Sequence, residues 1–161
     1  MRDTEKTFNW IVDILRKNDV IFQVTGGLAA KVYGSSRPLN DIDIDILDER
    51  IYDIVPYVRE NIVFGPARYE DERWDVLLMT LDHKSQEIDI SGGYGLRICD
   101  AKTGRWYSCP TDFSRYEEHE VFGVRVPVIP REDLIKYKKM LVGEHQDIDI
   151  AAVEKSIKTN N

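Results

Sequence analysis

The sequence predicts an α/β (α+β) domain, in which a small mixed β-sheet is flanked by helices and further helices follow at the C-terminus. In the first half of the chain, segments with apolar residues at helical spacing alternate with short extended segments, and two helical segments close the chain. The composition is that of a globular protein, with 42% hydrophobic and 32% charged residues. A length of 161 residues suits a single domain over 1–161, with a core at 20–91 and a C-terminal strand and helical part at 104–158.

The first half of the chain supports four regular elements. Apolar residues at helical spacing predict an amphipathic helix over 4–17. The β-branched and aromatic run 20–24 predicts a strand, which a glycine pair separates from a short helix over 28–34. The strict alternation of aspartate and isoleucine at 41–47 has period two and predicts a second strand.

The second half is predicted to contain more strands and then helices. Helical spacing continues over 49–62, although Pro56 is an awkward interior residue there. Further strands are predicted at 73–82, 86–91, 104–108 and 121–129. The segment 130–158 begins with a proline in a helix-opening context and predicts two helices that divide near Gly143.

Charge and composition exclude several classes of protein. The chain has no stretch that approaches the ~20 apolar residues of a membrane span and no apolar N-terminal run, so we expect a cytoplasmic protein without a membrane partner. A net charge of −7 argues against a protein that holds nucleic acid by bulk electrostatics. Cys99 and Cys109 lack zinc-site spacing, and a single bridge between them is left open.

Three aspartates follow one another at alternate positions in the predicted strand 41–47. Asp41, Asp43 and Asp45 share one face of the strand, about 7 Å apart from one neighbour to the next, and the intervening isoleucines share the other. Their mutual repulsion is about 1–2 kcal/mol per pair near a protein surface. Two environments would offset this repulsion: a solvated face, where water and salt screen the charges, or a site for hard divalent metal ions.

A calcium-binding EF-hand loop is excluded by the residues that follow the aspartates. The sixth position of such a loop is glycine and the twelfth is glutamate, but Ile46 and Tyr52 stand there. The sequence context favours a site for Mg²⁺ and phosphates, because a glycine pair after a strand can present backbone N–H groups to a phosphate. The later strand also supplies Glu87 and Asp89 with the same apolar interleaving.

Other candidate residues are predicted to be structural. The tetrapeptide "DIDI" recurs at Asp147, but there it opens a helix, in which Asp147 and Asp149 point in different directions. The three histidines are scattered without ligand spacing and are predicted to be surface residues.

These motifs resemble the nucleotidyltransferases of the polymerase-β-like superfamily. The pattern is a strand ending in a glycine pair, a short helix, a strand with two acids separated by an apolar residue, and a later strand with a third acid. Here these are Gly26 and Gly27, Asp41 and Asp43, and Asp89. The size and the aspartate run are similar to those of the small lincosamide nucleotidyltransferases, and the second half resembles uncharacterised bacterial relatives.

The resemblance implies a nucleotidyltransferase fold and the transfer of a nucleoside monophosphate from a nucleoside triphosphate, such as ATP. Two Mg²⁺ ions, for which Mn²⁺ can substitute, would be held by the catalytic residues Asp41, Asp43 and Asp89. A hydroxyl or similar acceptor on a small molecule or protein would attack the α-phosphorus and release pyrophosphate. Asp89 would also serve as general base toward the acceptor.

The resemblance also implies a nucleotide-binding set. Gly26 and Gly27 would hold the β- and γ-phosphates through backbone amides, and Arg37 and Lys31 would balance the phosphate charge. Asp45 lies one step further along the same face and would support the site without contacting metal. A homodimer or a partner protein is left open.

Relatives of this kind end with a helix of the form K-L-x-x-x-R-x-K-D-x-x-D-I. In this alignment Lys139 and Asp147 match, whereas Glu144 and Ile150 do not. Two other functions therefore stay open from the sequence alone. One is a binding or regulatory protein on the same scaffold with weak or lost catalysis, as in a toxin–antitoxin pair. The other is a metal-dependent nuclease, which the acidic balance and the glycine pair disfavour.

Overall fold

The structure is a computed structural model that describes residues 1–159. Within that range five α-helices and nine strands form, and the sheet is mixed, as predicted. The helices are α1 Thr4–Lys17, α2 Gly26–Val32, α3 Ile51–Val58, α4 Arg131–Leu141 and α5 Glu144–Thr159. The strands are β1 Phe22–Thr25, β2 Asp41–Ile46, β3 Ile62–Glu70, β4 Trp74–His83, β5 Gln86–Gly92, β6 Arg97–Cys99, β7 Trp106–Ser108, β8 Glu117–Val121 and β9 Val124–Val128.

One continuous sheet organises the molecule. Its strand order is β7-β6-β4-β5-β2-β1-β9-β8, and β3 pairs with β4 outside this path. The pairs β2–β5 and β1–β9 are parallel, and the remaining pairs are antiparallel. The aspartate strand β2 is therefore an interior strand, with β1 on one side and β5 on the other.

Burial follows the alternation of β2 and β5. Ile42, Ile44 and Ile46 are fully buried in the main hydrophobic cluster, together with Ile88 and Ile90 of β5. Helices α1 and α3 contribute their apolar faces to the same cluster. Because the isoleucines fix which face of β2 enters the core, the aspartates must share the opposite face.

Most predicted elements are confirmed, and three strands were not predicted. Strand β3 contains Gly65 and Pro66, where its pairing register with β4 shifts, so its sequence does not have the pattern of a strand. Strand β6 is only three residues long, and β8 is rich in glutamate. The predicted strand 121–129 is instead the end of one strand and all of the next, joined by a turn at Phe122 and Gly123.

The helical predictions differ mainly at their ends. The α-helix within the predicted range 49–62 covers only Ile51–Val58, because a 3₁₀ turn lies at each of its ends. Pro56 lies inside this helix. The glycine pair predicted to precede α2 forms its first turn. The division near Gly143 is confirmed, since Val142 and Gly143 both have positive φ between α4 and α5. No helix in residues 1–159 is long and apolar enough to cross a membrane.

Candidate functional site

Two parallel strands present two columns of polar side chains on one face of the sheet. Residues of β2 and β5 that lie directly opposite each other share a face, because both strands alternate with period two. The opposite pairs are Asp41 with Glu87, Asp43 with Asp89, and Asp45 with Ser91. Parallel pairing thus brings together two acidic motifs that lie more than forty residues apart in the sequence.

Three of these side chains form a cluster that could hold a metal ion. Asp41, Glu87 and Asp89 each offer a carboxylate oxygen, and these oxygens lie within 4.8 Å of one another. Asp41 and Asp89 are partly buried, and Glu87 is exposed. A set made only of carboxylate oxygens suits a hard divalent cation such as Mg²⁺ or Ca²⁺ rather than a soft metal. Two of the three predicted metal ligands are therefore in the cluster.

Asp43 lies beside this cluster and faces the first glycine of α2. A Cβ atom at Gly26 would lie 2.1 Å from Oδ2 of Asp43, so the carboxylate fills the space that a side chain would need. Burial, together with the charges of Asp41 and Asp89, raises the pKa of Asp43 well above its usual value. Its predicted role as a metal ligand stays a prediction.

Burial and a hydrogen bond have opposite effects on the pKa of Asp89. Burial raises its pKa to about 6, while a 2.7 Å hydrogen bond from the Thr80 hydroxyl acts in the opposite direction. The neighbouring carboxylates of Glu87 and Asp41 contribute to this upward shift of the pKa. Strand β4 thus contributes to the site from the same face of the sheet, because Thr80 lies directly opposite Asp89 in the β4–β5 pairing.

The glycine pair meets two side chains from elsewhere in the chain. Gly26 has a φ of 61°, a conformation that favours glycine, and its N–H donates a 2.8 Å hydrogen bond to the Tyr137 hydroxyl of α4. At Gly27 an added Cβ would lie 3.1 Å from the nearest guanidinium nitrogen of Arg37. The guanidinium of Arg37 therefore lies against the start of α2, as the phosphate-binding prediction requires.

Asp149 of α5 joins two cations at this end of the cleft. Its carboxylate is buried and accepts hydrogen bonds from Arg37 at 2.8 Å and from the Ser35 hydroxyl at 2.6 Å, and it lies 3.0 Å from the Lys138 ammonium. Although burial acts in the opposite direction, these hydrogen bonds hold the pKa of Asp149 below its usual value. The two cations and one carboxylate sum to one positive charge, close to the acidic columns.

The two residues on which the C-terminal motif is aligned, Lys139 and Asp147, lie on the surface. Lys139 forms an exposed ion pair with Glu154, and Asp147 is exposed. Alignment one residue earlier instead matches the buried pair Lys138 and Asp149 to the lysine and the second aspartate of the motif. As predicted, the two aspartates of this "DIDI" string point in different directions.

Lys31 does not reach the acidic columns. Its ammonium donates a 3.1 Å hydrogen bond to the backbone carbonyl of Arg37, and its side chain does not line the cleft described below. Asp45 also lies apart from the metal cluster. Burial raises its pKa to about 6, and the Thr111 hydroxyl donates a 2.7 Å hydrogen bond to it.

A cleft of about 740 Å³ is lined by some of these residues. One side carries Gly26, Gly27, Arg37 and the β2 aspartates. The other side is apolar, and it belongs to a second hydrophobic cluster that is separate from the main core. The apolar residues lining it are Trp74, Leu96, Ile98, Met140 and Leu141. A ligand that fills the cleft would contact charged groups at one end and an apolar surface at the other.

Sequence reasoning missed some residues of this site. Lys138 and Tyr137 lie in a helix whose sequence is rich in lysine, and no signal distinguishes them from the exposed lysines nearby. Glu87 was identified in the sequence beside Asp89 but was not predicted to be a metal ligand, although its position two residues before Asp89 puts it on the same face of β5.

The fold is that of known nucleotidyltransferase structures. No protein-family model matches the chain, and a search of curated proteins found no significant match. A candidate nucleotidyltransferase from Thermotoga maritima is similar in structure, with a TM-score of 0.66 and 22% identity over 97% of this chain and 92% of that one.

Two antibiotic-modifying proteins are similar as well. The lincosamide antibiotic adenylyltransferase LnuA, solved with lincomycin, has a TM-score of 0.63 and 18% identity over 96% of this chain and 98% of that one. ANT(2″)-Ia, solved with adenylyl-2″-tobramycin, has a TM-score of 0.64 and 12% identity over 97% and 90%. The chain therefore has a nucleotidyltransferase-like fold, as the sequence motifs predict.

Proposed function

We propose that this protein uses its nucleotidyltransferase-like fold to transfer a nucleoside monophosphate from a nucleoside triphosphate to an acceptor, releasing pyrophosphate. One observation carries the proposal: the β2 aspartates, which lie opposite Glu87 and Asp89 of β5, line one cleft together with the start of α2 and the two cations that Asp149 joins, Arg37 and Lys138. Groups that suit a metal ion and groups that suit phosphates thus lie side by side, which phosphoryl transfer requires.

The acidic residues would hold the metal ions. Asp41 and Asp89 supply carboxylate oxygens, with Glu87 as a further ligand and Asp43 one register step along β2. Divalent ions bound there, which we propose to be Mg²⁺, would supply charge neutralisation for the phosphates of the nucleotide. Asp89, which accepts a hydrogen bond from Thr80, would accept the proton of the attacking hydroxyl.

The basic residues would hold the triphosphate. Arg37 and Lys138 line the cleft, and Asp149 fixes both cations before a ligand arrives, so little side-chain entropy is lost on binding. A phosphate at the Gly26 amide would take the place of the Tyr137 hydroxyl, while Gly27 leaves room for it beside Arg37. Lys31 would act only indirectly, through the Arg37 backbone.

The acceptor would lie on the apolar side of the cleft. Lincomycin and adenylyl-2″-tobramycin in the solved relatives support a small-molecule acceptor with a nucleophilic hydroxyl. A protein acceptor is the other proposal carried from the sequence. The apolar lining from β4, β6 and α4 suits an acceptor that has an apolar part beside this hydroxyl.

Calorimetric titration of the four common nucleoside triphosphates, as α,β-methylene analogues with Mg²⁺, tests the first step. We expect at least one to bind, and we expect Asp43→Asn to weaken that binding by tenfold or more, on the order of the loss from disturbing a metal site. Asp147→Asn is the matched control, because it alters the same tetrapeptide on the exposed face of α5 and should leave the affinity unchanged. Absence of binding by all four analogues would contradict the proposal.

A further inference from the structure

Residues 109–115, here called the wall segment, form one wall of the cleft without being a helix or a strand. They connect β7 to β8, and five of them line the cleft: Cys109, Pro110, Thr111, Asp112 and Arg115. Irregular backbone must pair its polar groups with something other than a regular ladder. The groups that hold the wall segment therefore decide the shape of the cleft.

Gln23 of β1 holds one end of the wall segment. Its side-chain amide donates to the backbone carbonyls of Asp112 at 2.8 Å and of Arg115 at 2.7 Å. Gln23 is only 1% exposed, so both hydrogen bonds are shielded from water. A single buried side chain thus bridges two carbonyls three residues apart and fixes the turn between them.

Asp45 of β2 holds the other end. Its carboxylate accepts the 2.7 Å hydrogen bond from the Thr111 hydroxyl, and both residues are buried. The Thr111 backbone N–H donates to the carbonyl of Gly93 at 2.8 Å, and the Gly93 N–H donates to the carbonyl of Ile46 at 2.7 Å. Both links lead back to the C-terminal end of β2.

Gln23 and Asp45 lie directly opposite each other in the β1–β2 pairing. Their side chains therefore share one face of the sheet, and it is the face that carries Asp41 and Asp43. Strand β2, which carries candidate metal ligands, thus also carries one support of the wall segment, and its neighbour β1 carries the other.

We propose that Asp45 and Gln23 form a clamp that fixes the wall segment, so that the third aspartate of the run is a positioning residue for the cleft and not a metal ligand. A buried carboxylate is costly unless its hydrogen-bonding capacity is used, and Thr111 uses it. That a substrate occupies the cleft rests on the proposed function, whereas the clamp itself does not.

The chain carries its own reporter of clamp opening. Cys109 begins the wall segment and is partly exposed, and Cys99 is buried in β6 and reports on wider unfolding. Labelling of both thiols at one pH by iodoacetamide, followed by peptide mass spectrometry, measures the two openings separately. Thr111→Val keeps the side-chain shape but removes the hydroxyl. We expect it to label Cys109 about five- to twentyfold faster, with Cys99 unchanged, because about one net hydrogen bond is lost.

Two variants serve as matched controls. Thr111→Ser retains the hydroxyl and should label like the wild type, and Ser114→Ala removes a hydroxyl of the same segment that bonds only the exposed Asp112 side chain. The clamp proposal would be overturned if Thr111→Val left the rate of Cys109 labelling unchanged, or if Ser114→Ala increased that rate equally. The proposal would also be overturned if Thr111→Val increased the labelling rate of Cys99 in parallel, because that would mean that the whole molecule is destabilised.

Titration with Mn²⁺ alone separates positioning from ligation. We expect Asp45→Asn to keep the Mn²⁺ affinity within about threefold and Asp41→Asn to lower it by tenfold or more. Equal losses in both variants would make Asp45 a ligand and overturn the proposal. If the wild type binds no Mn²⁺, the proposed function fails, while the thiol labelling still decides whether the clamp exists.

Discussion

At the scale of single residues, the three aspartates of β2 have three different environments. Asp41 joins Glu87 and Asp89, Asp43 lies against Gly26, and Asp45 accepts a hydrogen bond from the wall segment. The sequence predicts that they share a face, because alternation is a local property. It does not predict their partners, which come from strands and loops distant in the chain.

Replacement of Asp149 should be strongly destabilising. Asp149→Asn leaves the Arg37 guanidinium and the Lys138 ammonium without their shared carboxylate, and Lys138 is only 3% exposed. We expect the free energy of unfolding to fall by about 3–5 kcal/mol, the usual cost of breaking a buried ion pair on one side. Urea denaturation monitored by tryptophan fluorescence measures the change.

The control for Asp149→Asn is Glu154→Gln on the same helix. Glu154 pairs with Lys139 at 3.3 Å, but both side chains are about half exposed, so its loss should cost less than about 1 kcal/mol. An equal loss of unfolding free energy in the two variants would show that the Arg37–Asp149–Lys138 network stabilises the fold no more than an exposed ion pair does.

At the scale of elements, the predictions hold where a segment has one clear period. The helix 4–17 and the strand 41–47 were predicted nearly to the residue, because their buried sides follow periods of 3.6 and two. Strands β3 and β8 were not, since Gly65 and Pro66 interrupt the first and three glutamates weaken the pattern of the second. Their pairing with neighbouring strands outweighs their weak local propensity.

The start of α2 distinguishes its two glycines. Gly26→Ala would place a methyl group 2.1 Å from Oδ2 of Asp43 at a φ of 61°, so it should cost about 2 kcal/mol or more and displace that carboxylate. Gly27→Ala brings a methyl group 3.1 Å from Nη2 of Arg37, a contact that a shift of a few tenths of an ångström relieves, and it gains helix propensity, so its effect on stability should stay within about 1 kcal/mol. Thermal unfolding of the two variants makes the comparison, and the expectation fails if Gly27→Ala is the more damaging change.

At the scale of the whole molecule, an excess of acid is concentrated in one place. The net charge of −7 is spread over the chain, but four carboxylates face each other on β2 and β5. The sequence predicts mutual repulsion among these acids, and the charges of neighbouring carboxylates do contribute to the raised pKa of Asp43 and of Asp89. Arg37 and Lys138 offset only part of the charge, because Asp149 already neutralises one of them.

The raised pKa values predict how stability depends on pH. A group whose pKa is higher in the folded than in the unfolded state favours folding below its unfolded pKa, and this stabilisation is lost as the pH rises through the folded value. For Asp45 and Asp89, with pKa values raised to about 6, the loss falls between about pH 4 and somewhat above pH 6. The melting temperature of the metal-free protein should therefore fall by several degrees between pH 5 and pH 7.5, since 1 kcal/mol corresponds to about 2–4 °C at this length.

Added Mg²⁺ should reverse this loss, because it binds the ionised carboxylates of the folded protein only. The increase in melting temperature on adding Mg²⁺ should be larger at pH 7.5 than at pH 5, where protons compete for the same oxygens. Asp43→Asn is the comparison: it should flatten the pH dependence and reduce the response to Mg²⁺. A melting temperature that rises from pH 5 to pH 7.5 without metal would contradict the raised pKa values of Asp45 and Asp89.

The two sides of the cleft differ in how firmly the backbone is held: β2 is an interior strand, and the wall segment is a loop. A strand hydrogen-bonded on both sides opens only with the whole sheet, so the amide hydrogens of β2 should exchange with solvent slowest. Backbone hydrogen bonds to Gly93 and Leu96 and a few side-chain contacts hold the wall segment, and such a loop can change its sequence without disturbing the sheet. The architecture therefore allows the lining of the cleft to change at residues 109–115 while the acidic strands stay as they are.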